Sequence, residues 1–187
     1  NTTNRKENVP MKLDSQLSCI RLAHQALETV TPIRQDCGEL CGRACCKGDE
    51  NTGMWLLPGE AELLQGQEGF SVRPCQDNGG YPLLVCQGSC DRKYRPFACR
   101  IYPFFPLATE REDGSLNIRV ISDPRAAGCP LARHTLPGRP RDVTQSFRFR
   151  LAQAALALLE DPELRRYLLD TSRFLTEIIQ LREKLGQ

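Results

Sequence analysis

Apolar residues recur along this chain with two different periods, and the changes of period mark its elements. Ile20, Ala23, Leu27 and Val30 share one face of a helix that Asp14 or Ser15 can cap and Pro32 ends. Between residues 31 and 54 that periodicity vanishes. The run Met54-Trp55-Leu56-Leu57 then meets Pro58-Gly59-Glu60, which predicts a buried strand turning into a short helix from Glu60 to Gln65. Phe70 and Val72 alternate with polar neighbours, and Tyr81 to Val85 is a further short strand. Phe104 to Thr109 and Leu116 to Ile121 flank the polar stretch Glu110-Arg111-Glu112-Asp113-Gly114. Leu116, Ile118 and Val120 alternate with Asn117 and Arg119, so the pair predicts a half-buried hairpin.

From residue 142 the period is helical again. Asp142 with Gln145 three places on resembles a capping box, and Phe147, Leu151, Ala154 and Leu158 follow on one face. Asp161-Pro162 breaks and restarts the helix, because proline is tolerated only in a first turn. Phe174, Ile178, Leu181 and Leu185 recur at helical spacing in the last segment, and are expected to pack on the rest of the domain. The predicted fold is a small irregular α+β domain: a short antiparallel sheet joined by cysteine-bearing loops and covered by C-terminal helices. Residues 1–10 are polar and are expected to form an N-terminal extension without a signal-peptide core. Residues 11–140 would form the cysteine-cluster domain, and 141–187 a helical segment packed on it.

Composition changes the picture at one point. Hydrophobic content of 40% and charged content of 26% are ordinary, so a core can form. A formal net charge of +2 gives no reason to invoke nucleic acid, and no stretch is long and apolar enough to imply a membrane span. Ten cysteines against two histidines is unusual for 187 residues. Without a secretion signal that count points to metal binding in the cytoplasm rather than to disulfides.

The cysteines are grouped. Cys37-Gly-Glu-Leu-Cys41-Gly-Arg-Ala-Cys45-Cys46 forms one cluster; Cys86-Gln-Gly-Ser-Cys90 forms a second, followed by Cys99 and, beyond the hairpin, Cys129. Three intervening residues bring paired sulfurs within reach of one centre, and sulfur donors select zinc or an iron–sulfur cluster over hard cations. The eight are therefore the candidate metal ligands. Cys19 reads as a small buried apolar residue, and Cys75, beside Pro74, as an isolated one. Adjacent Cys45 and Cys46 project in different directions, which suits two neighbouring centres, or one ligand and one nearby thiol. Four thiolates leave a residual charge of about −2 around either Zn²⁺ or an oxidised four-iron cluster. Arg92, Arg95 and Arg100, with Lys93 and Arg43, bracket the ligands and are placed to offset it, Arg95 and Arg100 being the candidates for contact with the cofactor.

Cys37-x3-Cys41-x3-Cys45-Cys46, with Cys90-x4-Arg95-Pro96-x2-Cys99-Arg100-x-Tyr102-Pro103, resembles the YkgJ-type cysteine-cluster family, a zinc- or iron-chelating domain. The resemblance spans roughly residues 37 to 130 and is most specific in the Arg-Pro-x-x-Cys-Arg-x-Tyr-Pro stretch. It departs in the first cluster, where both gaps are three residues instead of the family's two. The resemblance implies that the matching cysteines chelate metal. A related cluster accompanies flagellin lysine methylases, which implies a 4Fe-4S centre acting in redox or protein-modification chemistry beside a partner enzyme.

The other expectation is a zinc-stabilised protein-interaction module without catalytic activity. It is motivated by the lack of a GxxxxGK[ST] loop, a GxGxxG turn or an HExxH pair in the sequence. Neither His24, in the first helix, nor His134, in a Pro/Arg-rich loop, has an evident partner at this level.

Overall fold

The computed structural model describes residues 9–34, 37–49, 52–74, 80–133 and 143–186. Cys75, His134 and Asp142 lie outside these residues. Helix α1 spans Val9–Ala26 and buries Ile20 and Ala23, with Leu27 buried in the turn that follows. It begins before the predicted caps, so Asp14 and Ser15 lie inside it. Pro10 is tolerated in the first turn, and Lys12, Leu13 and Gln16 are good helix formers, so the helix extends upstream of its apolar stripe.

Two small antiparallel sheets follow, giving the α+β class. The first has β1 (Met54–Trp55), β2 (Phe70–Arg73) and β3 (Leu83–Cys86), in the order β1-β3-β2. Its register pairs Phe70 with Cys86 and Trp55 with Leu83. All four residues of β3, the central strand, are buried. The second is the predicted hairpin, β4 (Phe104–Glu110) with β5 (Leu116–Ser122), paired from Phe104–Ser122 to Glu110–Leu116. On β5 the exposed Asn117 and Arg119 alternate with half-buried Leu116, Ile118 and Val120.

Between the hairpin and the N-terminal cysteine segment lies the short helix α2 (Phe97–Ile101), and after the hairpin comes α3 (Pro130–Arg133). Helix α4 (Gln145–Leu159) buries the predicted stripe of Phe147, Leu151, Ala154 and Leu158 against α1 and the hairpin, with Phe147 edge-on to Phe104 at 5.9 Å. Its cap is Thr144, whose hydroxyl accepts from the Phe147 amide. Asp161 caps α5 (Pro162–Lys184), accepting from the Glu163 and Leu164 amides. Buried Ser172 pins α5 to β4 by accepting from the Ala108 amide at 2.9 Å.

One predicted face is corrected. On α5 the inward residues are Leu164, Tyr167, Leu168, Ser172 and Leu175, while Phe174, Leu181 and Leu185 are 51%, 58% and 63% exposed. Phe174 sits about 100° round the helix from Leu175, so two apolar stripes compete for the same contact. Asp161 and the hairpin set the rotation that seats Leu175, and only Ile178 of the predicted set packs partly inward.

Two cores result. The larger joins α1, α2, the hairpin, α4 and α5. The smaller holds Leu56, Leu64, Phe70, Leu84 and Cys86, with Cys46, Cys90, Cys99 and Tyr94 packed against it. Among the described residues no helix is long and apolar enough to cross a membrane.

Candidate metal centre

The N-terminal cysteines sit on a tight reversal. A 3-10 turn, Cys37–Leu40, is followed by Gly42 and Arg43, both left-handed at φ 58° and 57°. Glycine takes that conformation freely, whereas Arg43 adopts it at a cost of about 1–2 kcal/mol. The Arg43 amide donates to the Gly38 carbonyl at 2.9 Å, closing the reversal, and Ala44–Cys46 forms a second 3-10 turn. Within it the Cys45 and Cys46 thiols hydrogen-bond each other, so the vicinal pair does not project apart as the sequence alone suggests. Lys47 then bridges to Gln87, tying this segment to the end of β3.

Cys86 is the last residue of β3, and the chain turns through Gly88 at φ 100° to reach Cys90. Gly69, at φ 91°, lies directly under this loop. A Cβ there would stand 2.5 Å from the Ser89 carbonyl oxygen and 3.4 Å from the Cys90 Cα. We expect Gly69→Ala to cost about 1–3 kcal/mol and to lower metal occupancy by displacing Cys90. Gly66→Ala is the control: its φ is 73° and nothing lies within 4 Å, so it should pay only the backbone cost and leave Cys90 in place. Denaturant titration with metal analysis checks both, and equal effects would remove the steric explanation.

Cys99 lies in the middle of α2. Buried Arg100 donates to the carbonyls of Lys93 and Arg95, both at 2.7 Å, and so braces the loop that precedes this helix. It does not line the cysteine cavity, whereas Arg95 does. Arg92 reaches away from the cysteines, donating to the Val30 carbonyl at 2.7 Å. Cys129 closes the set, its amide donating to the Ala126 carbonyl at the foot of α3.

All eight candidate cysteines line one cavity of about 270 Å³, together with Arg95 and Tyr102. The described cysteines carry thiols rather than disulfides, and Cys19 is buried in the main core, outside this cavity. Thiol hydrogen bonds link Cys45 to Cys46, Cys46 to Cys86 and Cys86 to Cys90, yet among the described residues no group of three or more Cys, His, Asp or Glu side chains is placed to enclose an ion as they stand.

Three of these thiols, Cys45, Cys86 and Cys99, are pushed above the ordinary cysteine value. Partial burial, then the neighbours Cys46, Cys37 and Cys41, push Cys45 up to about 12. Burial also raises Cys86, against the Gly88 amide that hydrogen-bonds its sulfur, and Cys46 raises it further. Cys99 is pushed well up by burial, then by Cys90, Glu60, Cys46 and Cys86. Burial works against the Arg95 charge, but its hydrogen bond to Cys90 and the nearby Cys46 and Cys99 prevail and raise it. Tyr102 goes up to about 12 through burial, then Cys129, Cys45, Asp123 and Cys41.

Sequence reasoning missed one residue that shapes the site. Glu60 is 0% exposed, and its carboxylate accepts from the amides of Leu57 (2.9 Å) and Phe97 (2.6 Å). His24 Nε2 lies 2.7 Å from the same carboxylate, so the histidine without an evident partner has one. The acid after Pro58-Gly59 was visible as the start of a short helix, but its partners are 36 and 37 residues away. No protein-family model matches the chain, and neither curated proteins nor solved structures show a match.

Proposed function

We propose that this chain is a cysteine-ligated metal-binding protein that carries an iron–sulfur cluster and serves redox or protein-modification chemistry as an accessory to a partner enzyme. The observation that carries the reading is the meeting of Cys37, Cys41, Cys45, Cys46, Cys86, Cys90, Cys99 and Cys129, from separate loops, turns and helices, around one cavity. Inert core cysteines have no reason to gather there. The residues suit the cofactor: sulfur donors prefer iron–sulfur clusters and zinc, and the Arg95 guanidinium beside Cys90 offsets the negative charge that four thiolates bring. The resemblance to YkgJ-type cysteine-cluster proteins points the same way.

Anaerobically purified chain is expected to be brown, with broad visible absorbance and iron matched by acid-labile sulfide. A colourless protein holding stoichiometric zinc would replace this reading with the zinc-stabilised interaction module. That second reading draws on the smaller core, which rests its apolar residues on Cys46, Cys86, Cys90 and Cys99 and would be propped by the ion they hold. A chelator should then unfold the chain, since metal binding supplies folding energy. A chain that binds neither metal would end both.

A further inference from the structure

The eight cysteines do not form one undivided group. Cys46, Cys86, Cys90 and Cys99 pack against the smaller core, on Leu56, Phe70 and Leu84, and the other four do not. Two polar side chains sort the set in the same way. Arg95 hydrogen-bonds Cys90 and has Cys46 and Cys99 as its other thiol neighbours, while Tyr102 has Cys129, Cys45 and Cys41. The thiols' own neighbours agree. Cys86 meets Cys46 and Cys90; Cys99 meets Cys90, Cys46 and Cys86; Cys45 meets Cys37 and Cys41. A contact crosses between these sets at the vicinal pair, where the Cys45 and Cys46 thiols hydrogen-bond each other.

We infer that the cavity holds two four-sulfur centres, an inner one ligated by Cys46, Cys86, Cys90 and Cys99 and an outer one ligated by Cys37, Cys41, Cys45 and Cys129. The vicinal pair is the partition. It lies in the 3-10 turn Ala44–Cys46 with its two thiols hydrogen-bonded to each other, so the two centres adjoin there, one residue of the pair serving each. Each centre also has its own polar neighbour, Arg95 on the inner and Tyr102 on the outer. Four thiolates complete a tetrahedral ion or a cubane cluster without further ligands, which accounts for all eight cysteines. The division rests on the metal-binding reading but does not depend on which metal is native.

Cobalt alone is the probe, titrated anaerobically into the fully reduced, metal-free full-length chain and followed by the sulfur-to-cobalt charge-transfer absorbance. Saturation at two equivalents per chain is expected. Cys45→Ala and Cys46→Ala should each fall to one equivalent. The double variants decide membership: Cys45→Ala with Cys129→Ala, or Cys46→Ala with Cys99→Ala, should still bind one, whereas Cys45→Ala with Cys99→Ala should bind none. Saturation of the parent chain at one equivalent would overturn the division while leaving the metal-binding reading intact, and this count stands even if a variant fails to fold. Within-group doubles that lose both ions would overturn it as well. A parent chain that takes up no cobalt would instead sink the metal-binding reading itself.

Discussion

Replacing Glu60 with alanine is expected to destabilise the chain by about 3–5 kcal/mol, more than any other single side-chain truncation at the site. The carboxylate is fully buried, and three donors converge on it. Truncation strands the Leu57 and Phe97 amides away from water, at about 1–3 kcal/mol for each unmet donor, and leaves His24 without its partner. The loss also reaches the cysteines. Phe97 opens α2, whose next turn carries Cys99, so slackening this amide loosens the frame of the inner thiols. Glu60→Gln keeps one oxygen acceptor but turns an amide donor toward the remaining donors, and should fall between parent and alanine. Urea denaturation of the three chains measures the order. An alanine variant within about 1 kcal/mol of the parent would show that the carboxylate holds nothing that matters.

Zinc loading of the reduced chain is expected to strengthen by several orders of magnitude between about pH 6 and about pH 8. Burial and crowding raise Cys45, Cys86 and Cys99, so at neutral pH these groups keep their protons until a cation displaces them. Each proton displaced per ion contributes up to about tenfold in apparent affinity per pH unit, and a four-thiol centre can displace as many as four. Competition against a coloured chelator at several pH values, with proton release followed in weak buffer, gives both slopes. Flat affinity with no proton release would mean that thiols are not the ligands. For the metal-free chain the sign reverses. A thiol whose folded value lies above its unfolded one favours folding below the unfolded value, and that contribution is lost as pH climbs toward the folded value. The apo protein should therefore weaken progressively above about pH 8.5.

Local pattern made much of the scaffold legible. The α4 stripe of Phe147, Leu151, Ala154 and Leu158, the restart at Asp161-Pro162 and the alternation along β5 are each set within one or two turns or a few strand residues. Such signals survive in sequence because the residues that make them are near neighbours on the chain. The outward turn of Phe174, Leu181 and Leu185 was not legible. Two apolar stripes on α5 were equally good by periodicity, and the choice fell to contacts with β4 and to Ser172, which reads as a merely polar residue. The grouping of the cysteines was visible from spacing, and Arg95 beside them follows from the same stretch. Arg100, close by in sequence, instead braces the loop through the Lys93 and Arg95 carbonyls, because its place on α2 points it away from the cavity.

By itself, then, the sequence determined the α+β class, the hairpin, the helical C-terminal half and the identity of the clustered thiols, since period and spacing act over short distances. Tertiary structure alone decided that Cys86 and Cys99 have Cys46 as a neighbour while Cys129 and Cys45 both neighbour Tyr102, and that His24 and Phe97 meet on Glu60. Those contacts join residues tens of positions apart, and only the packing of the two cores selects among the pairings that chain connectivity would allow.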